Sequence, residues 1–417
     1  MPAATRTIEP LAQALAALGL NHRSIARLAE PGDDLRSPLG PTREALYSDA
    51  PVAVAMRLLF CRVSVPDDEA ASALGETLVE RLVELGLLSK SGSDLAAPYH
   101  LRMVRNLFLF SDYLGTGANS DAVMGAGETT AVLYEAARPG RRLGSALDLG
   151  CGAGTLALLM AADCERVVGT DINPRATRLA QLNAEVNGIA NAEFLTGSLW
   201  EPVAGRRFDW IVSQPPYYPR AATVGDLTYL HGGVRGDELP LGVVNGVREH
   251  LNPSGRALVF TSWPQDRRER IAPGMRVLEL TANRRELSGS RQSIDVIEHP
   301  GEAGPWFLRT EVSAECWGNV RPKHIDALIE NGNLSFADET LHGARLRLAE
   351  GLRLDAEGER PMLRGEAGAL LAVQPITTDD ASRLAGIVKA ERCEDSGVTP
   401  ASIRDYLARG WLTVRHG

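Results

Sequence analysis

Cysteine is scarce in this chain: five in 417 residues (Cys61, Cys151, Cys164, Cys316, Cys393), odd in number, scattered and without a CxxC pair. That pattern argues against a disulfide scaffold and a zinc ribbon, and it fits a reducing compartment. The eight histidines include no HxxxH pair, so no metal site is expected. No run of eighteen apolar residues occurs, and the first twenty residues carry Glu9 and polar breaks where a signal segment needs continuous apolar residues. The expectation is a soluble, cytoplasmic protein without membrane contact. Lysine is nearly missing, with Lys90, Lys323 and Lys389 alone among 44 basic residues. Acidic residues number 53, leaving a formal charge of −9. Such a chain has no overall field that draws it to phosphate backbones, so nucleic-acid binding needs a local basic patch.

What is present is an ordinary globular composition, 44% apolar and 23% charged, at a length that suggests two or three domains. Helical spacing of apolar residues recurs at 8–18, 52–63 and 70–88, and a short hairpin follows at about 89–101. Helix followed by hairpin reads as a winged-helix-like element. It has no Lys/Arg-rich recognition helix, which favours a capping or homodimerising module over a DNA reader. From about residue 122 strands and helices alternate: strands at 145–149, 166–170, 192–196, 208–213 and 256–261, helices at 155–162, 174–187 and 239–250. This rhythm predicts an α/β fold, a mostly parallel sheet with helices on both faces. The last hundred residues read as a small α+β appendage, with helices at 320–331, 377–390 and 399–408 and a strand at 368–373. The predicted division is 1–115, 116–315 and 316–417.

The strongest chemical signal is Leu147-Asp-Leu-Gly-Cys-Gly-Ala-Gly-Thr155, where a strand turns into a helix. Gly150, Gly152 and Gly154 let the backbone turn tightly and approach a ligand. The GxGxG spacing, with Thr155 in place of a last glycine, disfavours a nicotinamide dinucleotide. Asp171 ends the second strand, twenty-one residues after Gly150, where a carboxylate can accept both ribose hydroxyls of an adenosyl ligand. After the fourth strand comes Ser213-Gln-Pro-Pro-Tyr-Tyr218. In an open α/β sheet the first and fourth strands flank the crevice at which strand order reverses. The Gly loop and this stiff turn are therefore predicted to face one pocket.

With these motifs the sequence resembles the class I S-adenosylmethionine-dependent methyltransferases, in the group bearing an Asn-Pro-Pro-Tyr motif. Its relatives include release-factor glutamine methyltransferases, small-domain ribosomal RNA guanine methyltransferases and adenine-N6 methyltransferases. The resemblance runs from about Val123 to Trp263 and implies a seven-stranded Rossmann-like sheet with S-adenosyl-L-methionine as cofactor. It implies cofactor contacts at Asp148, Gly150, Gly152, Gly154, Asp171, Ile172, Ser198, Leu199 and Gln214. The segment Met124-Gly-Ala-Gly-Glu-Thr-Thr130 stands where such enzymes carry a loop covering the cofactor. Two departures stand out. Gln214 replaces the usual Asn, and Gly197-Ser-Leu-Trp200 replaces an Asp near the adenine, leaving Ser198 to hydrogen-bond it and Leu199 or Trp200 to pack on it.

Methyl transfer from a sulfonium is an in-line displacement that needs chiefly positioning and no metal. For a planar amide or amine, the Gln214 side-chain oxygen and the Pro215 carbonyl can accept the two N–H bonds, with Tyr217 stacking on the acceptor and Tyr218 closing the pocket. These assignments make N-methylation of a small molecule or peptide the first expectation. O-methylation of a hydroxyl or carboxylate is the alternative, with His231 as the nearest base, and an RNA base is a further one. For RNA the candidate grip is the stretch 267–291, with seven arginines against Glu269, Glu279 and Glu286.

Overall fold

The computed structural model describes residues 10–28, 48–112, 120–220, 228–264, 271–285, 290–335, 341, 344–356, 361–366, 369, 374–390 and 392–414. Helices α1 (Leu11–Ala17) and α2 (His22–Leu28) precede α3 (Pro51–Ala55), which continues into a wider π turn, Met56–Phe60. The stretch 70–88, one helix by its periodicity, is two: α4 (Asp67–Leu74) and α5 (Glu76–Glu84). Gly75 between them sits at φ 88°, a left-handed conformation that stops α4 and redirects the chain. Strands β1 (Val65–Pro66), β2 (Ser89–Ser91) and β3 (Asp94–Ala96) pair in the order β1–β3–β2. A hairpin that the sequence reading missed follows, β4 (His100–Val104) with β5 (Leu107–Ser111).

After α6 (Glu128–Ala137), the elements β6 (Leu143–Leu149), α7 (Thr155–Met160), β7 (Cys164–Asp171), α8 (Pro174–Asn187), β8 (Ala192–Thr196) and β9 (Phe208–Ser213) fall within two residues of their predicted bounds. A short parallel pair, β10 (Tyr218–Pro219) and β11 (His231–Gly233), leads to α9 (Glu238–His250) and the long β12 (Leu251–Trp263). Then come β13 (Arg276–Arg285), β14 (Arg291–Glu298) and β15 (Trp306–Val312). The central sheet runs β15-β13-β14-β12-β9-β6-β7-β8, with β14 antiparallel to both neighbours. Eight strands stand where seven were expected, because β15 adds to the edge alongside β13 in parallel. The sheet is thus Rossmann-like and mixed.

Both faces of this sheet are buried, as the period-two alternation requires. Ala146, Trp210, Val212, Leu258 and Phe260 belong to one core with side chains of α6 and α7, whereas Leu147, Leu149, Ile211, Ala257 and Val259 belong to another with Val243, Val244 and Val247 of α9. A third core joins Leu11, Leu58, Leu82 and Phe110 to Ala176, Leu179 and Val186, so the N-terminal elements are built onto α8. The fastening continues at the rim, where Arg175 forms an ion pair with Asp112 and the Asn173 side chain donates to the Asp121 carbonyl at 2.8 Å.

On the far edge, α10 (Pro322–Ser335) packs on the sheet through Ile325, Leu328 and Ile329. A Cβ at Gly332 would stand 2.6 Å from the Trp306 ring, so only glycine permits this approach. Beyond it, strands β16 (Leu346–Leu348), β17 (Leu352–Asp355), β18 (Met362–Gly365) and β19 (Gln374–Pro375), helices α11 (Thr378–Lys389) and α12 (Pro400–Ala408), and β20 (Leu412–Val414) surround a separate core around Leu384, Tyr406 and Leu412. The strand predicted at 368–373 falls outside the described residues except at Ala369. Among the described residues no helix is long and apolar enough to cross a membrane.

Candidate active site

A cavity of about 500 Å3 opens at the carboxyl ends of β6, β7 and β9. One side is the turn from β6 into α7. Gly150, Gly152 and Gly154 have φ of 81°, 51° and 83°. At Gly154 there is a second constraint, because a Cβ would lie 2.8 Å from that of Ala180 on α8. Asp171, at the end of β7, accepts from the backbone N–H groups of Gly152 and Asn173, both at 2.9 Å. Burial raises its pKa above the ordinary carboxylate value against the lowering effect of those bonds. Each carboxylate oxygen has two acceptor sites, so capacity for a ligand hydroxyl is left.

Asp148 is the unusual group in this wall. It is 1% exposed; one oxygen accepts from the Ala157 N–H at 2.9 Å, and Oδ1 has no hydrogen-bond partner among the described residues. Burial foremost, with the Asp171 charge adding to it and the Ala157 bond opposing it, pushes its pKa up to about 7. A bare buried carboxylate oxygen facing a cavity is costly unless a ligand satisfies it. Burial likewise pushes the adjacent Cys151 thiol well above its ordinary range, which leaves it unreactive.

Ile172, Ser198 and Leu199 complete this side. Leu199 adopts φ 44°, a left-handed backbone uncommon for a branched side chain and found preferentially at ligand sites. Trp200 turns elsewhere: it stacks on His250 at 4.6 Å and donates to the Gly242 carbonyl, and it is not a wall of the cavity.

The opposite side is the turn after β9, held by a 2.6 Å bond from the buried Ser213 hydroxyl to the Leu149 carbonyl of β6. Gln214, Pro215 and Pro216 line the cavity, so the two motifs do meet. The Gln214 amide is already engaged. Its Nε2 donates to the Thr129 hydroxyl at 2.6 Å, and its Oε1 accepts from the Thr130 hydroxyl at 3.2 Å. The sequence reading placed both threonines in a loop over the cofactor without giving them a role of their own; Glu128–Thr130 is instead the first turn of α6. Tyr217 and Tyr218 are absent from the cavity wall: Tyr217 leans on Phe260 at 6.2 Å and on Tyr218 at 5.1 Å. His231 is in the wall, buried, on β11. Of the arginines at 267–291, Arg276 pairs with Glu298 at 2.8 Å and Arg291 with Glu311, while Arg267, Arg268 and Arg270 fall outside the described residues.

Residues 125–229, which carry the glycine turn, Asp148, Asp171, the two threonines and the Gln-Pro-Pro turn, match the family model of the methyltransferase small domain. This part of the chain is an S-adenosylmethionine-dependent methyltransferase domain. Residues 12–98 match a second model, described as a domain of unknown function (DUF7059). The methyltransferase domain is 36% identical over 143 residues to a release factor glutamine methyltransferase of Geobacter sulfurreducens, covering 32% of this chain and 50% of that protein. It is 36% identical over 131 residues to one of Xylella fastidiosa, covering 28% and 46%. The chain thus spans about half the length of the curated relatives it matches. Among solved structures, a methyltransferase from Pyrococcus furiosus is 23% identical, covers 38% of this chain and 77% of its own, and overlays with a TM-score of 0.28. The bare Oδ1 of Asp148 and the left-handed glycine turn suit a cofactor with an ammonium group, as S-adenosylmethionine has.

Proposed function

We propose that this protein transfers the methyl group of S-adenosylmethionine to a planar nitrogen, foremost the amide of a peptide. The observation that carries the reading is the meeting, in one cavity, of a bare buried carboxylate on the glycine-turn side with a Gln-Pro-Pro turn on the other. Bound S-adenosylmethionine supplies an electrophilic methyl on a sulfonium. The chain's own work is then positioning, which contributes up to about 7–11 kcal/mol when donor and acceptor are held at attack distance. Asp148 takes the ammonium group, Asp171 the ribose hydroxyls, and Ile172, Ser198 and Leu199 the adenine. The Pro215 carbonyl accepts an N–H of the acceptor.

A peptide rather than a small buried metabolite is favoured by the rim. Among the described residues the exposed large apolar side chains are Met124, Ile172, Tyr218 and Val234. Met124 and Ile172 are walls of the cavity, and Tyr218 and Val234 lie on or next to β10 and β11. Clustered exposed apolar groups at a cavity mouth mark a docking surface, and the related proteins named as glutamine methyltransferases agree with such an acceptor. The described elements α3 to α5 and β1 to β3 run in winged-helix order and pack on α8, which suits a capping or dimerising role for residues 1–115, while the elements that follow α10 surround a core of their own.

The test is methyl transfer from labelled S-adenosylmethionine to a pool of glutamine-containing peptides, with the product sequenced by mass spectrometry. Methylated amide nitrogen supports the reading. A base-labile ester, or label in RNA alone, overturns it.

A further inference from the structure

His231 is 6% exposed, lies on the wall of the cavity, and has no hydrogen-bond partner at either Nδ1 or Nε2 among the described residues. Leaving a buried imidazole with both nitrogens bare costs roughly 1–3 kcal/mol per group, so such an arrangement is kept where a ligand completes it. Its position is not free to drift. His231 is in register with Tyr218 across the β10–β11 pair, whose strand begins directly after the Pro-Pro turn. A Cβ at the following Gly232 would fall 2.2 Å from the Gly236 carbonyl and 2.5 Å from that of Pro216, so this backbone is packed against the turn without a gap. Gln214, the residue expected to hold the acceptor, instead has both ends of its amide tied to Thr129 and Thr130.

We propose that His231 is the side chain that binds the acceptor nitrogen, and that Gln214 is a positioning residue latching α6 to the Pro-Pro turn. The assignment rests on the amide reading above and adds the group that recognises it. One bare imidazole nitrogen accepts an N–H of the acceptor amide. As the amide nitrogen bonds to the methyl carbon, the electron pair of the breaking C–S bond stays on sulfur, the nitrogen's proton passes to that imidazole nitrogen, and water later removes it. The longer Gln is what reaches the threonines; Asn, one methylene shorter, would leave the latch open.

The experiment uses the full chain with two probes, a fluorescent glutamine-containing peptide pool and total RNA. For His231→Ala, peptide affinity by anisotropy is expected to fall about tenfold and methyl transfer about 100-fold or more. Cofactor affinity by calorimetry stays within about twofold, a factor near the thermal energy, and added imidazole restores part of the transfer. His231→Gln, similar in size and able to hydrogen-bond but not to take a proton, keeps peptide affinity and loses transfer. If the alanine variant fails to fold, the glutamine variant decides alone. Wild-type transfer in His231→Gln, or loss of cofactor affinity in step with transfer, overturns the assignment. Label entering RNA but no peptide overturns the amide reading; His231 then keeps its role only if His231→Gln abolishes that transfer too.

Discussion

The side chain of Asn183 closes both backbone hydrogen bonds of Phe110: its Oδ1 accepts from the Phe110 N–H at 2.8 Å and its Nδ2 donates to the Phe110 carbonyl at 2.9 Å. The same Nδ2 donates to the Ala153 carbonyl in the glycine turn, also at 2.9 Å. One turn on, Asn187 repeats the arrangement with Phe108 at 2.9 and 2.8 Å. Two side-chain amides of α8 thus stand in for a neighbouring strand of β5, and one of them also grips the cofactor turn. A helix seldom satisfies a strand edge, because its own N–H and C=O groups are used internally; asparagine supplies the missing pair.

Asn183→Ala should therefore destabilise the protein by roughly 3 kcal/mol, since it strands buried backbone groups of Phe110 and Ala153. Denaturant unfolding checks this, with Asn187→Ala expected to cost less because that residue is only half-buried. Equal, negligible losses in both variants would remove the amide ladder from the account.

Asp148 sets a pH dependence. Its folded pKa, raised to about 7 mainly by burial, exceeds the value in the unfolded chain. The stabilisation it contributes is thus complete in acid and is lost as the pH rises from about 4 to about 7. A cofactor ammonium favours the ionised form, so S-adenosylmethionine affinity should rise across pH 6–8, and Asp148→Asn should flatten that rise. Calorimetry at several pH values tests it; a rise that survives the substitution points to another group.

Asp171→Ala should weaken cofactor binding by about tenfold to 100-fold, the range for hydrogen bonds to a charged group, while the fold persists. Unchanged affinity by calorimetry would refute the assigned pocket.

Gln214→Ala should lower turnover more than cofactor affinity, and Thr129→Val should reproduce part of that loss through the same latch. The two changes combined should be less than additive, because they remove one interaction. Equal losses of turnover and cofactor affinity would put Gln214 in the cofactor site.

The strand–helix rhythm from Leu143 to Ser213, the glycine turn and Asp171 were legible because their causes are local: alternation of apolar residues, φ values open only to glycine, and a carboxylate at a strand end. Strands β13 to β15 were not, nor was hairpin β4–β5, whose two-residue turn, Arg105-Asn106, lacks the glycine that marks such turns and places Arg105 itself at φ 55°. Tyr217 and Tyr218 were assigned to the acceptor from proximity to the turn, and packing on Phe260 draws Tyr217 to the core side instead.

By itself the sequence determined that this is an α/β chain with a GxGxG turn and a Gln-Pro-Pro-Tyr turn at the ends of its first and fourth parallel strands, two turns that line one cavity, because those motifs carry their backbone geometry in their composition. Only the tertiary structure decided which polar groups are left bare in the cavity. Whether Asp148, Gln214 or His231 has a partner depends on Ala157, Thr129 and Thr130, and on what surrounds an imidazole seventeen residues past the turn. No spacing rule encodes the hydrogen bonds that distant residues make or fail to make.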